Sequence, residues 1–171
     1  MIFIKYILMF FILGTFIILG NLYSRKYDNR LKELEEIDLI LNIFKAKVKF
    51  TCLGIKDIFE EIYKNNKDNV GKIFKLASTY LDDNDSQMAW KRAVEEAKES
   101  LNFNKEDIEV INTLGKMLGN TDIEGQVSQI ELTKQLLKKQ IEDAKIEKSK
   151  NSKLYKTLGA SIGLAIVIIL I

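Results

Sequence analysis

The sequence predicts an all-α fold: a small bundle of five or six helices flanked by N- and C-terminal transmembrane helices. Three observations lead there. The 171 residues contain no proline, so no ring removes a backbone donor inside a helix. Charged residues make up 29% of the chain, yet residues 1–24 hold one of them, Lys5, and residues 157–171 hold none. Between these two apolar ends, hydrophobic residues recur at three- and four-residue spacings, and no period-two alternation marks a strand.

The N-terminal end is the first element. Residues 6–24 are 19 uncharged positions, mostly Ile, Leu and Phe. That is close to the roughly 20 apolar residues that cross a bilayer. A cleaved signal peptide is the competing reading. The apolar run exceeds an h-region, and residues 19–24 offer no small-residue cleavage site. The C-terminal end is shorter, but Lys153 and Lys156 can reach toward headgroups and let the span begin at Leu154. Residues 163–171 have no polar side chain, so a helix there has no face to show to water. Three domains follow: 1–24 as an N-terminal transmembrane helix, 25–153 as a cytoplasmic helical bundle, and 154–171 as a C-terminal transmembrane helix. The basic residues Arg25, Lys26 and Arg30 after the first span, and Lys145, Lys148, Lys150, Lys153 and Lys156 before the second, put the middle on the cytoplasmic side.

Within the middle, Leu31, Leu34, Ile37, Leu41, Phe44 and Val48 predict one long amphipathic helix that Gly54 ends. Ile58, Phe59 and Ile62 form the stripe of a second helix, which stops in the polar run 65–69. Ile73, Phe74, Ala77 and Leu81 mark a third. The acidic turn 82–85 supplies an N-cap for a fourth, carrying Met88, Ala89, Trp90, Ala93 and Ala97. Asn104, with Asp107 three residues on, caps a fifth that runs through Ile111 and Leu114 to Leu118. Gly119 and Asn120 close it in a left-handed cap. Thr121 and Glu124 match a capping box for the last helix, whose seam is Ile123, Val127, Ile130, Leu137, Ile141 and Ala144. Nothing interrupts that helix before the second span, although Asn151 and Ser152 can kink it.

Composition excludes most chemistry. There is no histidine and one cysteine, Cys52, so the usual general base, the commonest metal ligand and any internal disulfide are missing. Cys52 is expected as a small buried apolar side chain. A net charge of +2 supplies no basic field for nucleic acid. There is no phosphate-binding glycine loop and no nucleophile elbow. The carboxylate pairs Glu60-Glu61, Asp82-Asp83 and Glu95-Glu96 lie among lysines, as solvated faces do. No cofactor, small-molecule substrate or enzymatic activity is expected. Trp90, the sole tryptophan, reads first as core. Gly115 and Gly119, like Gly159 and Gly163, have the spacing that lets two helices approach, and Gly115 is expected beneath a closely packed neighbouring backbone. The corner at Gly115, Gly119, Asp122 and Glu124 is the candidate partner contact. Gly159 and Gly163 are the candidate contact in the membrane.

The order Asp107, Leu114-Gly115, Leu118-Gly119, Asp122, Gly125-Gln126, then Tyr155, Leu158-Gly159 and Gly163 before a final apolar run, resembles the stage III sporulation protein AB family. Ala89-Trp90 and the long helix after the first span fit the same pattern. The resemblance is clearest over residues 86–171, and Leu53-Gly54 departs from it where the family pattern has a proline. The resemblance implies a cytoplasmic domain similar to the helical domain of type II secretion F proteins. It also implies a non-catalytic adaptor in the mother cell, in the outer forespore membrane, within a secretion-like channel complex of endospore-forming bacteria. The implied partners are the other subunits of that complex, including its secretion-type ATPase. The alternative from the residues alone is a membrane-tethered helical scaffold of another secretion or pilus-type assembly.

Overall fold

A computed structural model describes residues 2–51, 53–119 and 121–170. The elements are α1 (Ile2–Phe50), α2 (Ile55–Asn65), α3 (Asn69–Tyr80), α4 (Ser86–Ala97), α5 (Lys105–Thr113), α6 (Ile123–Glu147) and α7 (Lys153–Leu170). A 3₁₀ turn over Leu114–Met117 extends α5, and a π-helical turn over Lys148–Ser152 joins α6 to α7 without a break. There is no strand among the described residues. The chain forms two compact units, one of residues 32–142 and one made of 2–31 with 143–170. Cys52 and Asn120, and the expectations placed on them, lie outside the described residues.

The helix starts of the first unit are written in its polar residues. Asp68 accepts from the Gly71 amide at 2.8 Å and opens α3, and Asp85 accepts from the Met88 amide at 2.7 Å and opens α4. Asn104 and Asp107 form a reciprocal capping box, each side chain bonding the other's amide at 2.8 Å. Two expectations are corrected. Gly54 does not end the long helix. Helix α1 stops at Phe50, and Gly54, extended at ψ 155°, begins α2. The cap of α6 is Asp122, not Thr121. Its carboxylate accepts from the Gly125 amide at 2.9 Å, while the Thr121 hydroxyl turns back to the Met117 carbonyl. A carboxylate one residue nearer the helix start satisfies an orphan amide and meets the positive helix end.

The core of this unit takes one aromatic ring from each of α1 to α4. Phe59 lies 5.3 Å from Phe44 and 5.6 Å from both Phe74 and Trp90, and Phe74 and Trp90 are 5.3 Å apart. All four are fully buried. The α1 stripe from Leu31 to Val48 is buried as its spacing predicts. Along α6 the buried seam is Ile130, Thr133, Leu137, Gln140 and Ala144, and polar Thr133 bonds Thr113 at 3.0 Å. Met88 and Ile123, expected inside, are 50% and 54% exposed. Each sits in the first turn of its helix.

In the second unit, α7 packs antiparallel on the first part of α1. Gly20 and Gly159 face each other so closely that a Cβ on Gly159 would lie 2.6 Å from the Phe16 carbonyl oxygen. Gly163 rests against Leu13 and Phe16. Tyr23 and Tyr27 both stack on Tyr155 at 5.8 Å. Polar pairs continue the seam: Ser24 with Ser152 at 2.6 Å, Asp28 with Lys148 at 3.1 Å, and Arg30 with Glu147 at 2.7 Å. The runs 3–50 and 123–170 each contain an 18-residue window long and apolar enough to cross a membrane, with mean hydropathy 2.2 and 1.6.

Candidate functional site

The start of α2, the turn at 81–85 with the start of α4, and Gly119 gather at one end of the 32–142 unit. Gly119 sits at their junction with φ 72°, a left-handed conformation that only glycine adopts freely. A Cβ there would fall 2.6 Å from Ser86 Oγ and 3.5 Å from Ile55 Cδ1. The starts of α2 and α4 therefore meet the turn that precedes α6. Lys56 pairs with Asp82 across the same end.

Of the four candidate contact residues, Gly119, Asp122 and Glu124 are exposed at this corner. Beside them Met117 and Ile123 also face solvent. The corner thus joins apolar surface to two carboxylates. Gly115 lies one turn deeper and is buried. The neighbour that requires its small size is an indole rather than a backbone: a Cβ would come 3.0 Å from Trp90 Cδ1. Trp90 is held in turn, its Nε1 donating to the Ile111 carbonyl at 2.9 Å. Gly159 and Gly163 belong to the other unit, where both are buried against α1.

Each carboxylate pair has a member tied to a cation or a phenol. Glu61 bonds Lys47 at 2.7 Å, Asp82 pairs with Lys56, Glu95 with Lys98, and Glu96 accepts from Tyr80. Among the described residues no group of three His, Cys, Asp or Glu is placed to hold a metal. A shallow cleft of about 440 Å³ beside Phe103 and Ile108 is rimmed by Glu95, Lys98 and Lys105.

One carboxyl pair was not visible in the sequence. Glu36 on α1 approaches Asp68, the cap of α3. Burial, with a hydrogen bond to Asp68 and its negative charge, pushes the Glu36 carboxyl up to about 7. Burial acts to raise Asp68 as well, but the bond from Glu36 and the amides of Gly71 and Val70 outweigh it and hold Asp68 below the usual range. The folded chain therefore holds the Glu36 proton more tightly than the unfolded chain. Stability present below the ordinary value of 4.5 is lost as the pH rises toward about 7. Glu36→Gln keeps the donor without the charge. Its melting temperature should exceed that of wild type above about pH 7, and the gap should shrink steadily to little as the pH falls to about 4.5. A gap that does not change with pH would contradict this linkage.

Glu33 was also silent in the sequence. It is nearly buried and accepts from the Asn102 amide at 2.6 Å and the Asn102 side chain at 2.8 Å. Its partner lies 69 residues away, beyond the reach of any local pattern.

A helical bundle carrying two stretches long and apolar enough to cross a membrane belongs to the class of all-α proteins with candidate membrane-spanning helices. Comparison with known families gives the class its particular member. The model of the stage III sporulation protein AB family matches residues 5–171, and the chain belongs to that family. It is 24% identical over 149 residues to stage III sporulation protein AB of Bacillus subtilis (strain 168), covering 86% of this chain and 87% of that one. A solved structure of stage III sporulation protein AB (SpoIIIAB) is similar in fold, with a TM-score of 0.65 and 21% identity over 70% of this chain and 95% of that one.

Proposed function

We propose that the chain is a non-catalytic, membrane-anchored adaptor of the secretion-like channel complex that endospore formation requires. In this reading both apolar ends span the outer forespore membrane, and the bundle lies in the mother-cell cytoplasm, where it docks the secretion-type ATPase. The observation that carries the reading is the corner at Gly119, Asp122 and Glu124. It exposes Met117 and Ile123 beside two carboxylates and rests on the meeting of three helix starts. Apolar area flanked by charge suits protein docking, since the apolar part supplies affinity and the charges select the partner. Gly115 serves it from below by letting the turn settle on Trp90. Membership of a sporulation family supports the setting.

The test is a pull-down of the sporulation ATPase from the same organism by the full chain in detergent. Wild type should retain the ATPase. The Asp122→Lys, Glu124→Lys variant, with unchanged helicity, should lose at least about tenfold of that binding, as reversal of two interfacial charges does. Equal retention by both proteins would remove the corner from the interface.

A further inference from the structure

In the unit formed by 2–31 and 143–170, a cleft of about 460 Å³ is lined by Ile18, Asn21, Leu22, Arg25, Asp28 and Lys156. Arg25 is the first charge after the 19 uncharged residues 6–24, and Lys156 is the last charge before the apolar run 157–171. The two antiparallel helices bring these boundary cations to one cleft. Below them on α1, Ile18 and Leu22 are exposed. The cleft therefore changes from apolar to cationic along its length, at the level where the apolar segments end.

Ion pairing separates these two cations from Arg30 and Lys148. Arg30 pairs with Glu147, and Lys148 pairs with Asp28. Asp28, the acid in the cleft wall, is thus already matched. Among the described residues, Arg25 and Lys156 form no ion pair. Two unmatched cations over an apolar floor fit an anion that carries a hydrocarbon chain.

We infer that this cleft binds the phosphodiester headgroup of an anionic phospholipid in the cytoplasmic leaflet, with Arg25 and Lys156 on the phosphate and Ile18 and Leu22 along the acyl chain. The inference rests on reading 6–24 and 154–171 as membrane spans. Arg offers a planar fork to phosphate oxygens and Lys a point charge. A basic residue near an anionic leaflet strengthens attraction about fivefold. A free phosphate ion would satisfy the cations but leave the apolar floor uncovered, which favours the lipid.

The experiment uses the full chain in phosphatidylcholine vesicles, with spin-labelled phosphatidylglycerol reporting the lipid held at the protein surface. Wild type should prefer phosphatidylglycerol over phosphatidylcholine. Arg25→Gln with Lys156→Gln should lower that preference by about fivefold per cation. Lys150→Gln with Lys153→Gln removes the same charge from the same boundary outside the cleft and should leave most of the preference intact. Arg25→Lys should retain it, separating charge from folding. Equal losses in the two double variants would overturn the site in favour of a diffuse surface field, and no loss in the cleft variant would overturn it outright. Excess inorganic phosphate, against chloride of equal ionic strength, should not abolish the preference. Abolition would make this a free-phosphate site instead. Alkaline carbonate tests the underlying reading separately. Wild type that resists extraction but shows no lipid preference refutes the site alone, whereas wild type that is extracted refutes the spans and the site with them.

Discussion

Trp90→Ala should lower the melting temperature of the bundle by at least about 10 °C. Trp90 is fully buried and touches the rings of Phe59 and Phe74. Truncating such a residue costs about 3–5 kcal/mol, from lost transfer energy and the cavity left behind. The Ile111 carbonyl also loses its indole donor and is left partly unsatisfied. A domain with about 5–15 kcal/mol in hand loses a large part of it, and at this size each kcal/mol lost lowers the midpoint by several degrees. Gly115 gives the same argument a sharper form. In the wild-type background, Gly115→Ala should destabilise, because the new methyl would press on Trp90 at 3.0 Å and the ring is fixed by its own neighbours. In the Trp90→Ala background, the same change should be neutral or stabilising, since alanine exceeds glycine in helical turns by up to about 1 kcal/mol. Thermal melts of the four proteins form a double-mutant cycle. An effect of Gly115→Ala that keeps its sign in both backgrounds would show that the indole is not what demands glycine.

Gly159→Leu should separate the two apolar helices. Its Cβ alone would lie 2.6 Å from the Phe16 carbonyl oxygen and 3.0 Å from Gly20 Cα. Both neighbours are backbone, which no rotamer change can move. Close approach of small residues is what holds helices together in lipid, where apolar side chains gain nothing from leaving water. Ser24 and Ser152 supply the reporter. Their hydroxyl oxygens are 2.6 Å apart, which places the Cβ atoms within reach of a disulfide. With Cys52 replaced by alanine, Ser24→Cys and Ser152→Cys should cross-link readily within one chain. Gly159→Leu should slow that cross-linking by about tenfold, equivalent to roughly 1.4 kcal/mol of lost pairing. Gly14→Leu provides the control, because a Cβ at Gly14 meets nothing within 4 Å. A Gly159→Leu protein that cross-links like wild type would mean that the glycine contact does not set the helix spacing.

The sequence was most legible where the responsible interactions are local. The α1 stripe, the caps at Asp85 and Asn104, and the left-handed turn at Gly119 all follow from residues within four positions of one another. It was least legible where polar groups meet across the fold. Ser24 and Ser152 are separated by 128 residues and Glu33 and Asn102 by 69, and nothing in either segment announces the other. The errors have the same origin. Gly54 reads equally as a stop for α1 or a start for α2, and only the packing of α2 decides between them. Thr121 and Asp122 are both good caps, and the helix start at Ile123 selects the second. Ile123 itself fits the apolar period of α6 but stands in its first turn, beyond the core. At the candidate corner, periodicity could place Gly119, Asp122 and Glu124 together. It could not show that Gly115 turns inward, because that depends on where the indole of α4 lies.

The position of Trp90 also gives the chain an intrinsic optical probe. It is the sole tryptophan, and it lies within the 32–142 unit, sealed from solvent. Its emission should be blue-shifted in the folded protein and move red only when that unit opens, whatever the apolar helices do in detergent or lipid. Backbone circular dichroism sums over both units. Recording the two signals through one melt tells whether the chain unfolds in a single cooperative step or unit by unit, with no dye attached and no residue changed.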